Sequence, residues 1–453
     1  MYPNPQDAVP LPPRSNLGQY RKLAKDLVRA CRADDPDAVG DWTDRWLERL
    51  ARLQPPAVRR RHGTWIRRRA DQVEEFARSR LSGKCSLTEA QFVIARAHGF
   101  LSWPKLARHI EGLGRRASSV SRFERAADAI VEGDAATLKR LLREEPELIR
   151  TRSAREHGAT LLHYVSANGV EGHRQKTPKN IARIAEILLE AGAEVDAEAD
   201  VYGGGATTLG LAATSCHPRD AGVQIPLLET LLGHGARIDQ PGAGHEQSAV
   251  LGCLANGRPE AAEFLASRGA RLGFEEAAGV GRLDVVRGFF EKDGRRKPGL
   301  TKERMDYAFR MACGYGRKNV VEFLLDRGAD VASQGPHGGM TALHMAAIGG
   351  HPDIVRWLLQ QNAPLEVVNV YGGTVLGQTL WSAAHGGDPE AYAEILEALI
   401  AAGAKLEERH PPINSRIDDL LLKHGSRPDK TLWWYGEKPR IPRTVKRGGA
   451  RGR

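Results

Sequence analysis

The sequence predicts an all-α solenoid, a stack of about eight or nine irregular helix pairs joined by short hairpin-like connections and preceded by a small helical region. Three observations carry that prediction. A leucine-rich stretch closed by Gly-Ala returns repeatedly between residues 185 and 407. Within each copy the apolar residues recur three and four apart, which places them on one face of a helix. A single copy is too short to enclose a core, so each must bury its apolar side against the next.

Taken in order, residues 1–16 (MYPNPQDAVPLPPRSN) are proline-rich and poor in core formers, and are expected to be disordered. Residues 17–120 read as a helical region. In SLTEAQFVIARAHGFLSWPKLARHIEGL (86–113), Thr88 and Gln91 form a capping box, Gly99 ends one helix, and Ser102 with Pro104 opens another. Phe92, Phe100, Trp103, Leu106 and Ile110 are expected in a core, and the region is expected to cover the apolar side of the first repeat.

The array spans 121–430. FERAADAIVEGDAATLKRLLREEPELI (123–149) opens it, with Gly133 and Asp134 between two helices. The clearest copy is TALHMAAIGGHPDIVRWLLQQNA (341–363): Leu343, Ala346 and Ala347 face one way, Gly349-Gly350 stops the helix, and Ile354, Val355, Leu358 and Leu359 recur in a second. That second helix and its stop return as AEILLEAGAEVD (185–196), LLETLLGHGARID (227–239), AAEFLASRGARL (261–272), VVEFLLDRGADV (320–331) and AEILEALIAAGAKLE (393–407). LDVVRGFFEKDG (283–294) is a degenerate copy and IDDLLLKHGSRPD (417–429) a closing half. The stop glycine is predicted to adopt a left-handed conformation, and the alanine after it to let the next unit approach closely.

TALHMA (341–346) and TLLHYV (160–165), with the Gly-Ala stops, resemble the ankyrin signature T-P-L-H-x-A over roughly residues 123–429. The signature's proline is replaced by Ala342 in one copy and by leucine in the other, and extra residues enter at 170–180, 216–225 and 295–304. The helical region before the array is similar to a lead-in found in many bacterial ankyrin proteins. The resemblance implies a non-catalytic scaffold or adaptor, holding a protein partner on its concave face and connection tips. It also implies that His163 and His344 hydrogen-bond neighbouring loops.

Two junctions resemble each other more than they resemble that family, DVYGGGATTLG (200–210) and NVYGGTVLG (369–377). Tyr202 and Tyr371 are therefore partner-binding residues in the leading reading, with His337 and Met340 at the corresponding junction before Thr341. In the competing reading Val-Tyr-Gly-Gly is turn chemistry alone, with each tyrosine flat on the neighbouring repeat.

Charge is unevenly placed. Residues 1–120 hold 23 Lys and Arg against 13 Asp and Glu, 121–422 hold 33 against 41, and 423–453 hold 10 against 2. An acidic centre is no nucleic-acid footprint, but basic ends suit an anionic partner. In RRRHGTWIRRR (59–69), Arg59, Arg60, Arg61, Arg67, Arg68 and Arg69 surround Trp65, a combination that fits phosphate contact and base stacking. The opposing reading is a solvated helix face paired with Asp71, Glu74 and Glu75. The tail, residues 431–453, carries Arg440, Arg443, Lys446 and Arg447 and is expected to be disordered. Trp433, Trp434 and Tyr435 before it are expected to close the last repeat. An adaptor for nucleic acid or an anionic surface is therefore the alternative function.

Cysteines at 31, 85, 216, 253 and 313 are odd in number and form no CxxC pair, so they suggest neither a disulfide framework nor a zinc knuckle. No GxxxxGK[ST], GxGxxG, HExxH or GxSxG is present, and Gly203-Gly204-Gly205 reads as a turn. Cys216-His217 and His245-Glu246 lack the second pair that a zinc site needs. No enzyme activity, metal or cofactor is expected. Without a long apolar run or a secretory leader, the chain is expected to be a cytoplasmic monomer.

Overall fold

The computed structural model describes residues 4–12, 15–52, 63–81, 85–239, 248–335 and 338–432, without the side chains of 63–67. The chain divides into two compact units, Met1–Arg271 and Leu272–Arg453. Helices dominate both. Two short strand pairs join Glu198–Ala199 to Ala206–Thr207 and Arg409–His410 to Arg427–Pro428.

Among the described residues the first unit begins with a short 3₁₀ turn (Pro5–Asp7) and the helices α1 (Leu17–Cys31), α2 (Ala38–Arg52), α3 (Gly63–Leu81), α4 (Leu87–Ala97) and α5 (Trp103–Leu113). Tyr20, Leu27, Trp42, Trp46, Val73, Ile94, Phe100, Leu106 and Ile110 form their core. Phe100, Leu106 and Ile110 are buried as expected, whereas Trp103 is partly buried and Phe92 lies half-buried against Phe76. The cap of α4 is Ser86 rather than Thr88. The helix starts at Leu87, and extended Ser86 accepts a hydrogen bond from the Glu89 amide at 3.2 Å. Residues 4–12, read from the sequence as disordered, are ordered here: Ala8 and Val9 are buried and the Val9 amide donates to the Ala97 carbonyl at 2.7 Å. A disulfide joins Cys31 to Cys85 (Cα–Cα 5.9 Å), tying the end of α1 to the start of α4. Cysteine spacing did not suggest this bond, because the partners lie 54 residues apart, Cys31 at the end of α1 and Cys85 in the connection before α4.

The paired helices follow. In the first unit they are α6 (Ser119–Glu132) with α7 (Ala135–Glu144), a 3₁₀ turn (Leu161–Ser166) with α8 (Ile181–Glu190), α9 (Thr208–Thr214) with α11 (Gln224–Gly233), and α12 (Ala249–Ala255) with α13 (Pro259–Ser267). The insertion at 216–225 adds α10 (Cys216–Asp220). Leu161–Ser166 stays 3₁₀ because the Ser166 hydroxyl donates to the His163 carbonyl at 2.6 Å and Ala167 turns left-handed at φ 47°.

In the second unit the pairs are α14 (Phe274–Val280) with α15 (Leu283–Arg287), α16 (Lys302–Gly314) with α17 (Lys318–Asp326), α18 (Ala342–Ile348) with α19 (Pro352–Gln360), and α20 (Val375–Ala384) with α21 (Pro389–Ala401). The half unit α22 (Ser415–Lys423) closes it. Phe274, Phe309, Leu324, Leu343, Val355, Leu358 and Leu396 run through one apolar core.

The Gly-Ala stops behave alike in both units. Ala193, Ala236, Ala270, Ala329, Ala363 and Ala404 each donate their amide to the carbonyl five residues back, closing the preceding helix. Gly192, Gly235, Gly269, Gly328 and Gly403 sit at φ between 86° and 94°, and a Cβ at any of them would meet nothing within 4 Å. Backbone conformation alone, and no crowding, demands glycine there. Asn362 fills the same place at φ 58°.

Candidate functional site

The two Val-Tyr-Gly-Gly junctions differ in what holds them. Tyr371 is 59% exposed, following Val368 at 54% and Val370 at 69%. The buried Asn369 fixes this turn: its Oδ1 accepts from the amides of Tyr371 (2.9 Å) and Gly373 (3.0 Å), and its Nδ2 donates to Gln378 at 3.2 Å. The same Nδ2 lies 3.6 Å from Met340 Sδ, so the structure brings Met340 and Tyr371 to one turn. His337 lies outside the described residues. Tyr202 belongs to the first unit, sits at φ 52°, and its hydroxyl donates to Asn168 Oδ1 (2.8 Å) and Gln6 Oε1 (3.2 Å).

Tyr202 also borders a cavity of about 430 Å³ within the first unit, walled by α9, the α10 insertion, α12 and the turn at Ala167–Asn168. Ser215, Cys216, His217, Asn256 and Arg258 line it. The insertion at 216–225 is held open as a wall by buried Gln224, whose Nε2 donates to the carbonyls of Ala212, Ala213 and Ser215 at 3.0, 2.9 and 3.2 Å.

Beside the helical lead-in the first unit contains a buried ionic network. Arg155 pairs with Glu124 (2.7 Å) and Glu171 (2.8 Å), and Arg174 with Glu124 (2.7 Å) and Asp128 (2.7 Å). Arg96 on α4 reaches Glu156 at 2.6 Å. Burial works to raise the Glu124 carboxyl, but Arg155 and Arg174 overcome it and hold the group well below the usual carboxylate range. Burial lowers His98 and His109 to about 4 and His173 to about 3, so each is neutral near pH 7. Glu171 and Arg174 come from the 170–180 insertion, which therefore anchors α6 and Arg155.

His163 and His344 are fully buried. Nδ1 of each accepts from the amide of its own threonine, Thr160 at 3.1 Å and Thr341 at 3.3 Å, and His163 Nε2 donates to the Ala206 carbonyl of the next junction at 3.2 Å. Such an imidazole bonds the loops only while neutral, and burial lowers His163 to about 4.

With helix pairs, left-handed stops and the junction-bonding His163 in place, residues 307–359 match the family model for ankyrin repeats (many copies). That stretch carries ankyrin repeats. The ankyrin repeat domain of human ASB11, known from a crystal structure, is similar at 21% sequence identity, covering 62% of this chain and 99% of that one with a TM-score of 0.33. No curated protein matches the sequence. Ankyrin repeats are generally protein–protein interaction modules and typically non-catalytic. Among the described residues no helix is long and apolar enough to cross a membrane, and no group of three or more His, Cys, Asp or Glu is arranged to hold a metal ion.

The basic cluster before the ankyrin repeats divides. Arg59, Arg60 and Arg61 lie outside the described residues, as do Arg440, Arg443, Lys446 and Arg447 in the tail with Trp433, Trp434 and Tyr435. Trp65 and Arg67 fall on α3, and Arg68 is exposed there. Arg69 is not a solvated cation: it is buried, paired with Asp7, and donates to Gln72 Oε1 at 2.6 Å and the Gln6 carbonyl at 3.0 Å. Of the acidic residues expected to neutralise the cluster, Glu74 pairs with Arg78 at 2.8 Å.

Sequence reading named Tyr371 and Met340 but missed Val368, Val370 and the organising Asn369. The signal was available: two valines flanking an Asn, in a connection where no helix could bury them. It also missed the cavity and the ionic network, to which insertions that the repeat pattern treats as interruptions contribute Gln175, Cys216 and His217, and Glu171 and Arg174.

Proposed function

We propose that the protein is a non-catalytic adaptor that grips a protein partner on the junction tip of its second unit, through Val368, Val370 and Tyr371 with Met340 beneath them. The observation that carries this reading is the exposure of three consecutive-turn apolar side chains on a backbone already fixed by Asn369. Apolar groups held rigidly in water lose little conformational freedom on binding, and exposed tyrosine is a common anchor. Tyr202, pinned by Asn168 and Gln6, has less surface to offer. Tyr371→Ala and Val370→Ala should each weaken a captured partner by about 1–3 kcal/mol. Quantitative pull-down from the native host, with each variant compared against the unaltered chain, tests this; equal recovery of every captured protein would exclude the tip.

A further inference from the structure

The cavity of the first unit has chemistry that the repeat scaffold does not use. Ser215 is 3% exposed, and its Oγ has no hydrogen-bond partner among the described residues. Leaving a hydroxyl so buried without a partner costs free energy, and a partner supplied from the cavity would recover it. Arg258 spends Nε on the Ser215 carbonyl (3.2 Å) and Nη1 on the Gly257 carbonyl (2.8 Å). Its Nη2 has no partner among the described residues. Gln175 and Asn256 each spend their amide nitrogen on a backbone carbonyl, that of Val170 (3.0 Å) and of Gly252 (2.9 Å), which leaves Oε1 and Oδ1 as acceptors. Among the described residues no aspartate or glutamate lines the space.

We propose that this cavity binds a small carboxylate-bearing molecule, its carboxylate on Arg258 Nη2 and Ser215 Oγ and its N–H or O–H groups on Gln175 Oε1 and Asn256 Oδ1. The volume of about 430 Å³ lies within the range of small-molecule sites. A single guanidinium, with no second cation lining the cavity among the described residues, suits a monoanionic carboxylate better than a phosphate, which carries more charge and more acceptor oxygens. The His217 ring, which hydrogen-bonds to no described residue, adds a neutral donor or acceptor, since burial lowers its basicity. The ligand class is thus a free amino acid or hydroxy acid, or the acidic side chain of a short peptide that enters from solvent. This site is separate from the proposed tip, and neither proposal depends on the other.

The test uses the full chain at constant ionic strength. Glutamate, succinate, acetate, inorganic phosphate, chloride and the peptide acetyl-Gly-Glu-Gly-amide are titrated by calorimetry and thermal shift. At least one carboxylate should saturate at millimolar concentration or below, and the lower of the glutamate and peptide midpoints identifies the source. Arg258→Gln should weaken that binding tenfold or more, Arg258→Lys less, and Ser215→Ala three- to tenfold. Cys216 supplies a readout on the unaltered chain, because it lines the cavity while Cys253 and Cys313 are buried and Cys31 and Cys85 are bonded. The saturating carboxylate should slow its alkylation by iodoacetamide. Carboxylates that bind no better than chloride, phosphate that binds more tightly than any of them, or alkylation unaffected by the best carboxylate would each overturn the proposal.

Discussion

Tyr202 and Tyr371 stand in nearly the same words of sequence, yet one is tied down by two side-chain hydrogen bonds and the other stands in solvent just after two exposed valines. The contrast extends to the units that contain them. Around Glu124, the first unit is held by buried charges contributed from the lead-in, the opening pair and an insertion. The second unit is held by repeated apolar contacts along one core. A turn motif therefore fixes local backbone only; whether its tyrosine is available is decided by what the rest of the unit brings alongside.

The strongest way to break that comparison is to remove one charge. Glu124→Ala leaves Arg155 and Arg174 buried without their shared partner, and should destabilise the first unit by about 3–5 kcal/mol. Hydrogen exchange read peptide by peptide should show the loss in residues 87–190 and leave 302–401 protected. A change below about 0.5 kcal/mol, the level of an ordinary surface substitution, would mean that the network is not what holds the unit.

The disulfide sharpens the same contrast, since among the described residues it lies in the first unit alone. Replacing Cys31 and Cys85 together by serine should cost about 2–4 kcal/mol, seen as a lower melting temperature with faster exchange in α1. Added reductant should reproduce the shift in the unaltered chain and have no effect on the double variant.

Acid gives a third, graded test. His98, His109 and His163 are lowered by burial to about 4 from an ordinary value of 6.5. Because the unfolded chain takes up these protons first, stability falls as pH drops from 6.5 towards 4, by about 1.4 kcal/mol per pH unit for each histidine. Glu124 and Glu171, held low by arginines, keep their contribution until the pH falls below the ordinary carboxylate range. The loss between pH 6.5 and 5 is thus a histidine effect, and should be greater in the first unit, where these three lie. Equal acid sensitivity of both units in pH-dependent exchange would contradict this.

What the sequence made legible follows from period. Helix stops, paired leucines and the roles of His163 and His344 recur, and recurrence separates them from chance; Gly192 and Gly403 could be placed in left-handed turns before any coordinates. Arg69 shows where that legibility ends. Its neighbours in sequence are arginines, which suggested a solvated charge run, but its partners Asp7 and Gln6 come from a segment about sixty residues away that composition marked as disordered. The network had the same obstacle: Glu124, Arg155, Glu171 and Arg174 occur once each, at no repeat position, and only the fold of the 170–180 insertion assembles them.

The smallest effect returns to the two tyrosines. Tyr202→Phe deletes a hydroxyl that donates to Asn168 and Gln6, leaving Asn168 Oδ1 without that donor, and should cost about 0.5–1.5 kcal/mol. Tyr371→Phe deletes a hydroxyl that bonds to no described residue, and its effect on stability should stay within about 0.5 kcal/mol. Paired denaturation curves compare them directly. If both substitutions cost the same, the N-terminal segment does not restrain Tyr202 in solution, and both junctions then present a free tyrosine. If only Tyr202→Phe is felt, Gln6 and Asn168 withhold that ring from partners, and the second unit's tip is the stronger place to look for one.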